Sequence, residues 1–555
     1  MTATPAAPVN DRASWLPMVG LFFAQVLMSV NVTALPVSLG GMVEDFDVAP
    51  TVVSSTIVTY GLAVAALVMV GAKLGQRFGW VAIFRVVVAT FAVSALMMTF
   101  APTVGWAIAA QAVAGASAAV IVPALVALIT ENYHGTQQAT AIGSLGSARA
   151  ISGVGSFLIG GALGTLVGWR PMYVLVFAIA VLVFALSFTL RSDTGNPATR
   201  IDLVAAVLIG VGVVLLTVGF NNLNSWGVVF AKPAAPWDML GLSPAPVAIV
   251  LGIVGVQAFL MWTLRRIKAG RQPLVDLSVL ASSRERAAIY AMFTVVALEA
   301  ALNFTVPLYI QIVQGRSPFD TALAMMPFNL TVFITATIVV RAYQRYTPRA
   351  IGMASFGLTT LALVWLAFVV TNNWETVPTV AGLIVFGIGQ GALVTLVFNV
   401  LVTSAPKRLA GDVGSIRGTT QNLASAVGTA LVGALLVTVL SIFVGQQVTD
   451  DVTLPDSLIE QVDLDNVNFV SNDSLREVLA TTTASPDQID AAVAINEDAR
   501  LRTLKFGLLI LAGLSALAIV PASRLPDYRP GEIPDPAATG PDNQDQPTAD
   551  RRTVH

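Results

Sequence analysis

The chain has 555 residues, of which 55% are hydrophobic and 11% carry a charge. An average soluble domain has about 25% charged residues. Most of this chain must therefore face lipid or other apolar helices. Its formal net charge of −2 gives no basis for nucleic-acid binding. There is no cysteine, and His134 and His555 are too few and too far apart for a histidine site, so we predict no metal and no cofactor.

The N-terminal residues 1–14 are polar, and a long apolar run begins at Trp15. Because this run is about 25 residues long and lacks a convincing cleavage site, we predict a first membrane span and not a removed signal peptide. The sequence contains fourteen apolar runs of bilayer-spanning length. They lie near 15–39, 51–71, 81–101, 104–128, 139–166, 171–190, 202–220, 244–264, 287–310, 319–341, 349–371, 376–402, 413–446 and 501–522.

Basic residues indicate the orientation. With fourteen spans both termini share one side, and most of the 30 Lys and Arg residues lie there if that side is the cytoplasm. The positive-inside rule therefore predicts a multi-pass plasma-membrane protein with both termini in the cytoplasm. The runs near 413–446 and 139–166 exceed a straight span, so we expect their cytoplasmic ends to project or tilt, and we count Arg417 among the cytoplasmic basic residues.

The fifth run combines small residues with one charge. Small residues recur on one helical face, at Gly146, Gly153, Ser156, Gly160 and Gly164. Such a face lets a neighbouring helix approach closely in lipid. Arg149 falls on the same face, about 15 Å from the cytoplasmic end at 1.5 Å per residue. A charge at that depth is costly and usually functional.

The order of the runs predicts two six-helix halves, 15–190 and 287–522, with two spans inserted in the linker 191–286. Short basic turns follow the second span of each half, which fits this symmetry. The tail 523–555 is rich in Pro and Asp, and we expect it to be disordered.

An acidic loop, 447–500, is external in this orientation. Within it, Ser485 can cap a helix, Pro486 suits the first helical position and Gln488 can complete a capping box. We expect this helix to run to Arg500 and to continue into the last span. The loop is either a solvated acidic spacer or a lid or cation-attracting vestibule.

Several motifs follow one another in a fixed order. They are Thr33-Ala-Leu-Pro36, Thr59-Tyr-Gly-Leu62, Lys73-Leu-Gly-Gln-Arg-Phe-Gly79, Gly160-Gly161, Pro307-Leu-Tyr-Ile-Gln311 and Gly387-Ile-Gly-Gln-Gly391. In this order they resemble the major facilitator superfamily, and within it the fourteen-span drug:proton antiporters of multidrug efflux. The resemblance covers nearly all of 15–522. It implies an all-α integral membrane protein with the major facilitator fold, two six-helix halves plus two inserted spans.

Four positions depart from the family pattern. Leu27 stands where many members have an aspartate in span 1, and Gln76 replaces the acid of the loop between spans 2 and 3. Gln111 replaces an arginine of span 4, and Ser156-Phe157 replaces the Gly-Pro of the antiporter motif. The resemblance therefore implies transport more firmly than it implies proton antiport.

Glu299 is the acid that the sequence places clearly inside a span. We hypothesise that Glu299 and Arg149 interact across the central cavity, directly or through water, with Arg149 supplying the cation absent at Gln111. Protonation of Glu299 would weaken this attraction and bias the movement of the halves. The structural alternatives are a hydrogen-bonded or substrate-contacting carboxyl for Glu299, and a bridge to backbone carbonyls or the cytoplasmic network for Arg149.

Three further sets of candidate residues follow from the motifs and from the polar residues inside spans. The gating-loop candidates are Lys73, Gln76, Arg77, Gly79, Arg345 and Arg349. The candidates on the antiporter-motif helix are Gly153, Ser156, Phe157, Gly160 and Gly161. The candidates for lining the cavity are Gln25, Asn31, Asn303, Phe304, Gln311, Asn329 and Asn422. Because Gln76 lacks a charge, we expect a weaker cytoplasmic latch.

These observations predict a monomeric secondary transporter in the bilayer, and no enzyme. We expect it to export amphipathic or lipophilic, drug-like or lipid-like molecules by alternating access, with the proton gradient as energy source. Two alternatives stay open. One is a facilitator or lipid transporter without standard proton coupling, and the other is a non-transporting membrane receptor or assembly partner.

Overall fold

The computed structural model describes residues 14–48, 50–191, 193–233, 235–237, 241–280, 283–310, 318–343, 345–371, 376–404, 409–450, 472–480 and 485–527. Residues 1–13 and 528–555, which are most of the expected tails 1–14 and 523–555, lie outside these ranges, as does the segment 451–471 of the acidic loop. Residues 523–527, expected to belong to the disordered tail, are among the described residues. The described part is helical without a strand, and an isolated antiparallel bridge joins Phe230 to Leu242.

The helices of the first half and of the insertion come first in the chain. They are α1 (Leu16–Phe46), α2 (Pro50–Phe78), α3 (Trp80–Thr99), α4 (Val104–Asn132), α5 (Gly135–Leu166), α6 (Arg170–Leu186), α7 (Leu203–Asn221), the short α8 (Leu223–Trp226) and α9 (Pro244–Lys268). The helices of the second half follow. They are α10 (Ser283–Leu308), α11 (Pro318–Ala342), α12 (Pro348–Val369), α13 (Val377–Ser404), α14 (Ala410–Asp450), α15 (Asn472–Ala480), α16 (Pro486–Leu517) and the short α17 (Ile519–Ala522).

Fourteen of the described helices are long and apolar enough to cross a membrane, which confirms the predicted fold class. The polar residues between the apolar runs supply helix starts, because a side-chain oxygen there satisfies an exposed backbone N–H. Thr103 caps α4, Ser243 caps α9 and Thr347 caps α12 in this way.

The last spanning helix, α16, begins well before the apolar run that predicted it. Its start is the capping box expected from the sequence: the Ser485 N–H donates to Gln488 Oε1 at 2.9 Å, and the Gln488 N–H donates to Ser485 Oγ at 3.4 Å. The helix then continues without a break into the apolar run, so the end of the acidic loop and the last span form one helix.

Each half is a bundle, and specific helices bring the two bundles together. In the first half α4 packs along α2 and α3, while α1 packs along α5 and α6. In the second half α13 packs along α11 and α12, and α14 packs along α10 and α16. Across the boundary α5 packs along α11, and α14 packs against α2 and α4. The two halves therefore meet along α5 and α11 and along α14 with α2 and α4.

The two inserted spans pack on each other, and α7 contacts one helix of each half, α2 and α14. A buried carboxylate holds this hairpin together. Asp202 caps α7 at the Ala205 N–H, accepts from Trp262 Nε1 at 3.0 Å and pairs with Arg266 Nε at 3.0 Å. The insertion thus lies along the boundary between the two bundles, which we also call the seam.

Candidate functional site

Arg149 and Glu299 form an ion pair that joins the two halves. Arg149 lies fourteen positions after the start of α5, Glu299 lies sixteen positions after the start of α10, and Arg149 Nη2 is 3.3 Å from Glu299 Oε1. The Arg149 side chain is 43% exposed and that of Glu299 is 17% exposed. The structure therefore brings together the two residues that the sequence hypothesis paired, and their role in coupling stays a prediction.

A second basic residue lies within a helix that is long and apolar enough to cross a membrane. Arg417 is seven positions after Ala410 in α14 and is 7% exposed, so it packs among other helices, and the expectation that this helix end projects or tilts stays a prediction. Its guanidinium carbon lies 3.8 Å above the centre of the Phe398 ring of α13. It is close enough to Arg149 for the two positive charges to repel each other. In the parts of the chain that the structure covers, Arg417 makes no hydrogen bond and no ion pair.

The predicted gating residues Lys73 and Gln76 meet an acid from the other half. Lys73 Nζ is 3.2 Å from Asp412 Oδ1, and Gln76 Nε2 donates to the same oxygen at 2.9 Å. Lys73 also donates to Gln76 Oε1 at 2.9 Å, and the Asp276 N–H donates to Asp412 Oδ2 at 3.1 Å. We call Lys73, Gln76 and Asp412 the cytoplasmic latch. Asp412 supplies from α14 a negative charge that Gln76 lacks, and the expectation of a weaker latch stays a prediction.

The remaining gating-loop candidates have local contacts. Arg77 is exposed and its guanidinium lies 5.5 Å from the centre of the Phe78 ring. Gly79 adopts φ = 90°, a left-handed conformation that favours glycine, at the start of α3. In the second half, the Arg345 guanidinium lies 5.8 Å from the ring centre of Tyr346, and the Arg349 N–H donates to Pro526 O at 3.1 Å. These contacts do not bring the two arginines to the latch.

The small residues of α5 face two different neighbours. Gly153 points toward Asn329 Oδ1 of α11, 3.8 Å from where a Cβ would lie, whereas Gly160 faces Val37 of α1 at 3.0 Å. Ser156 is buried, and its hydroxyl has no hydrogen-bond partner in the described chain. Phe157 and Gly161 belong to the helix but lie outside the residues whose side chains the structure describes.

Two buried amides join α1 to α4 where the family pattern has charges. Asn31 Nδ2 donates to Gln111 Oε1 at 3.0 Å, and both side chains are buried. Leu27, one turn before Asn31, is fully buried as well. One hydrogen bond thus joins two neutral amides at the position where the family resemblance implies a span 4 cation.

The other cavity candidates do not converge on one site. Gln25 donates to Ser29 Oγ of its own helix at 3.2 Å. Asn329 and Asn422 each donate to a carbonyl one turn earlier in their own helices. Asn303 is exposed and Phe304 is partly buried. Gln311 lies outside the described residues.

Sequence reasoning missed Arg417 and Asp412. Both were visible as charges near the start of the apolar run at 413–446, and that run already contained Arg417. The signal was a charged residue within an otherwise apolar helix. A run longer than a straight span is expected to project or tilt at its end, and this gives Arg417 a cytoplasmic position in the sequence prediction.

The sequence profile of the Major Facilitator Superfamily matches residues 21–429. A probable actinorhodin transporter of Streptomyces coelicolor is 26% identical over 448 residues, which are 78% of this chain and 74% of that protein. The multidrug efflux pump LfrA of Mycolicibacterium smegmatis is 24% identical over 435 residues, 78% of this chain and 82% of the pump. The putative multidrug resistance protein MdtD of Salmonella typhi is 22% identical over 431 residues, 77% and 87% of the two chains.

Solved structures share the fold at low sequence identity. The human organic anion transporter MFSD10 superposes with a TM-score of 0.57 at 12% identity, covering 93% of this chain and all of that one. The proton:xylose symporter XylE superposes with a TM-score of 0.53 at 10% identity, covering 91% and 94%. With its fourteen apolar helices and a profile match over most of its length, the chain belongs to the Major Facilitator Superfamily and is a multi-pass membrane transporter, not an enzyme.

Proposed function

We propose that this transporter exports amphipathic or lipophilic small molecules across the plasma membrane by alternating access, with the proton gradient as its energy source. In this proposal both termini lie in the cytoplasm and the working unit is a monomer in the bilayer. The relatives named as efflux pumps and as a probable actinorhodin transporter support export of such molecules.

The observation that carries the proposal is the Arg149–Glu299 pair. Its two side chains come from opposite halves and lie near the middle of their helices, where an ion pair is partly shielded from water. Protonation of Glu299 removes one charge, so the attraction between α5 and α10 falls. A proton can in this way change the relative energy of two arrangements of the halves.

The cytoplasmic latch supports alternating access. Lys73 and Gln76 belong to the end of α2, whereas Asp412 belongs to the start of α14, so the latch closes the seam at the cytoplasmic end. Opening this side requires that the latch breaks. The transport cycle would then be controlled at two contacts across the seam. One is the Arg149–Glu299 pair at mid-membrane, and the other is the latch at the cytoplasmic end.

Transport in proteoliposomes tests the proposal. Glu299→Gln keeps the size of the side chain but cannot titrate, so we expect flux of a fluorescent amphipathic substrate to lose its dependence on an imposed pH gradient. The matched control is Glu285→Gln, because Glu285 lies in the first turn of the same helix. Undiminished, pH-dependent flux in Glu299→Gln would remove Glu299 from the coupling role.

A facilitator without standard proton coupling is the second candidate. It is favoured by the neutral residues Leu27 and Gln111 at positions where many relatives carry charges, and by the fact that Arg149 already neutralises Glu299. The same assay separates the two functions. A facilitator would equilibrate the substrate at the same rate with and without the pH gradient, in the wild type as well as in the variant.

A further inference from the structure

The charges within the membrane region of the boundary do not balance. Helices α5 and α14 each place one guanidinium group there, whereas α10 contributes a single carboxylate. Glu299 pairs with Arg149 at 3.3 Å, so its charge is already used. Arg417 thus carries a positive charge that no carboxylate among the described residues compensates.

Arg417 is placed to bind a group that the protein does not supply. A guanidinium has five N–H donors in its plane, and a buried one needs acceptors for them. The Phe398 ring covers one face of the guanidinium, a contact that leaves the N–H groups at its edge unused. Arg417 is 7% exposed and makes no hydrogen bond within the described chain. Its N–H groups can therefore donate to an acceptor that is not part of the protein.

The nearest acid in the same helix cannot serve as that acceptor. Asp412 comes five positions before Arg417 and receives Lys73, Gln76 and the Asp276 N–H. Both of its oxygens are therefore occupied by the latch. Arg149 acts in the opposite sense, because its positive charge repels Arg417 and raises the cost of leaving it without an anion.

We propose that Arg417 binds the anionic group of the substrate, and that the substrates are amphipathic monoanions such as hydrophobic carboxylates or sulfonates. The guanidinium would hold the anionic oxygens through charge-assisted hydrogen bonds, and the aromatic ring of Phe398 would contact the apolar part beside them. This inference names the substrate class of the proposed exporter and rests on that proposed function for transport, while the binding itself is tested separately.

The position of Arg417 fits a substrate that enters from the cytoplasm. It lies just inside the latch along α14, so opening of the latch would give the cytoplasm access to it. Binding of one anion cancels the uncompensated charge. The loaded site then carries no net charge, and closing it away from water costs less than closing the empty site.

Binding to purified protein in phosphatidylcholine nanodiscs tests the inference, with protein-free nanodiscs as the blank. The probes share one fluorescent ring system and differ in charge: pyrenebutyrate, its neutral methyl ester and pyrenebutylammonium. We expect the wild type to bind pyrenebutyrate at least about tenfold more tightly than the other two, because one charge-assisted hydrogen bond is worth about that factor. Similar affinity for all three probes would overturn the anion site.

Variants of Arg417 identify the residue responsible. We expect Arg417→Gln to lose the preference for pyrenebutyrate while it binds the ester as the wild type does, which also shows that the variant is folded. Arg417→Lys keeps the charge and should keep part of the preference. The control is Arg284→Gln, an exposed arginine in the first turn of α10, for which we expect no change. An undiminished preference in Arg417→Gln would contradict the proposal.

The binding assay and the transport assay fail independently. No proton gradient is present in nanodiscs, so a protein that proves to be a facilitator would still prefer the anion. Conversely, proton-driven flux of the neutral ester, together with equal binding of the three probes, would leave the exporter in place and remove the anionic substrate class.

Discussion

At the scale of single residues, the buried Asp412 carboxylate is the centre of the cytoplasmic latch. It accepts from Lys73 and Gln76 of the other half, and the Lys73 and Asp412 side chains are 9% and 1% exposed. Removing one member of a buried pair leaves an uncompensated charge, which costs about 3–5 kcal/mol. The latch should therefore be sensitive to a change in one charge.

We expect Asp412→Asn to shift the protein toward states in which the cytoplasmic side is open. The measurement is the rate at which a cysteine introduced at the fully buried Ser415 reacts with a maleimide, since the natural chain has no cysteine. The rate should rise in Asp412→Asn. Combining it with Lys73→Gln should restore slow labelling, because no lysine is then left unpaired. Equal labelling of single variant and wild type would show that the latch does not hold this side closed.

The residues that could be predicted are those whose charge is isolated in an apolar run. Arg149 and Glu299 stand out in this way, and their pairing follows from their depth and chemistry together with the helix arrangement that the family resemblance implies. Asp412 could not be assigned because its partner Lys73 is 339 positions away. The position of Arg417 could not be predicted, because a charged side chain near the cytoplasmic end of a long apolar run can either project from the helix bundle or be buried in it. Only the packing of α13, which supplies Phe398, decides between them.

At the scale of helices, close approach depends on a few glycines. A Cβ at Gly115 of α4 would lie 2.5 Å from the Tyr60 carbonyl oxygen of α2. This distance is too short for a non-bonded contact, so any side chain at position 115 would force the backbone to shift. By contrast, a Cβ at Gly61 of α2 would meet nothing within 4 Å. Alanine substitutions at the two positions therefore form a matched pair for measuring how much the close approach of α2 and α4 contributes to stability.

We expect Gly115→Ala to lower the melting temperature of the purified protein and Gly61→Ala to leave it unchanged or raise it slightly. Overpacking of a tight contact costs about 1–3 kcal/mol, whereas alanine in an open helical position is favoured over glycine by about 1 kcal/mol. Thermal unfolding in one detergent compares the two variants directly. A melting temperature that is lowered equally in both would indicate that the α2–α4 distance is not limited by Gly115.

Helix positions were predictable from hydropathy, but helix neighbours were not. The small residues of α5 predicted one packing surface, and the structure divides it among α13, α11 and α1, which Gly146, Gly153 and Gly160 face. The periodicity gives the face of a helix, whereas the identity of the neighbour depends on residues far away in the chain. The start of α16 is the opposite case. Its capping box is local, within four consecutive residues, and was therefore readable from the sequence.

At the scale of the whole molecule, the seam between the halves has three kinds of contact. The latch lies at its cytoplasmic end, the Arg149–Glu299 pair lies within it, and α5 packs along α11 beside that pair. The inserted α7 also bridges α2 and α14. Alternating access requires that some of these contacts change together, so fixing one of them should arrest the cycle.

The α5–α11 contact is suited to such a lock. Ser147 Oγ and Thr337 Oγ1 lie 2.7 Å apart across it, so the two side chains meet directly, as a disulfide between cysteines at these positions requires. The natural chain has no cysteine to interfere. We therefore expect the double variant Ser147→Cys, Thr337→Cys to form a disulfide under mild oxidation. If the halves must move at this contact, the rate of transport in proteoliposomes should then fall at least about tenfold.

Reduction separates a lock from simple damage. Transport by the double variant should return when the disulfide is reduced, and each single cysteine variant should transport equally before and after oxidation. Full transport by the oxidised double variant would mean that α5 and α11 move as one body. The hinge would then have to lie elsewhere on the seam, at the contacts of α14 with α2 and α4. Because the latch joins α2 to α14, locking the latch should then arrest transport, and the two measurements together locate the moving surface.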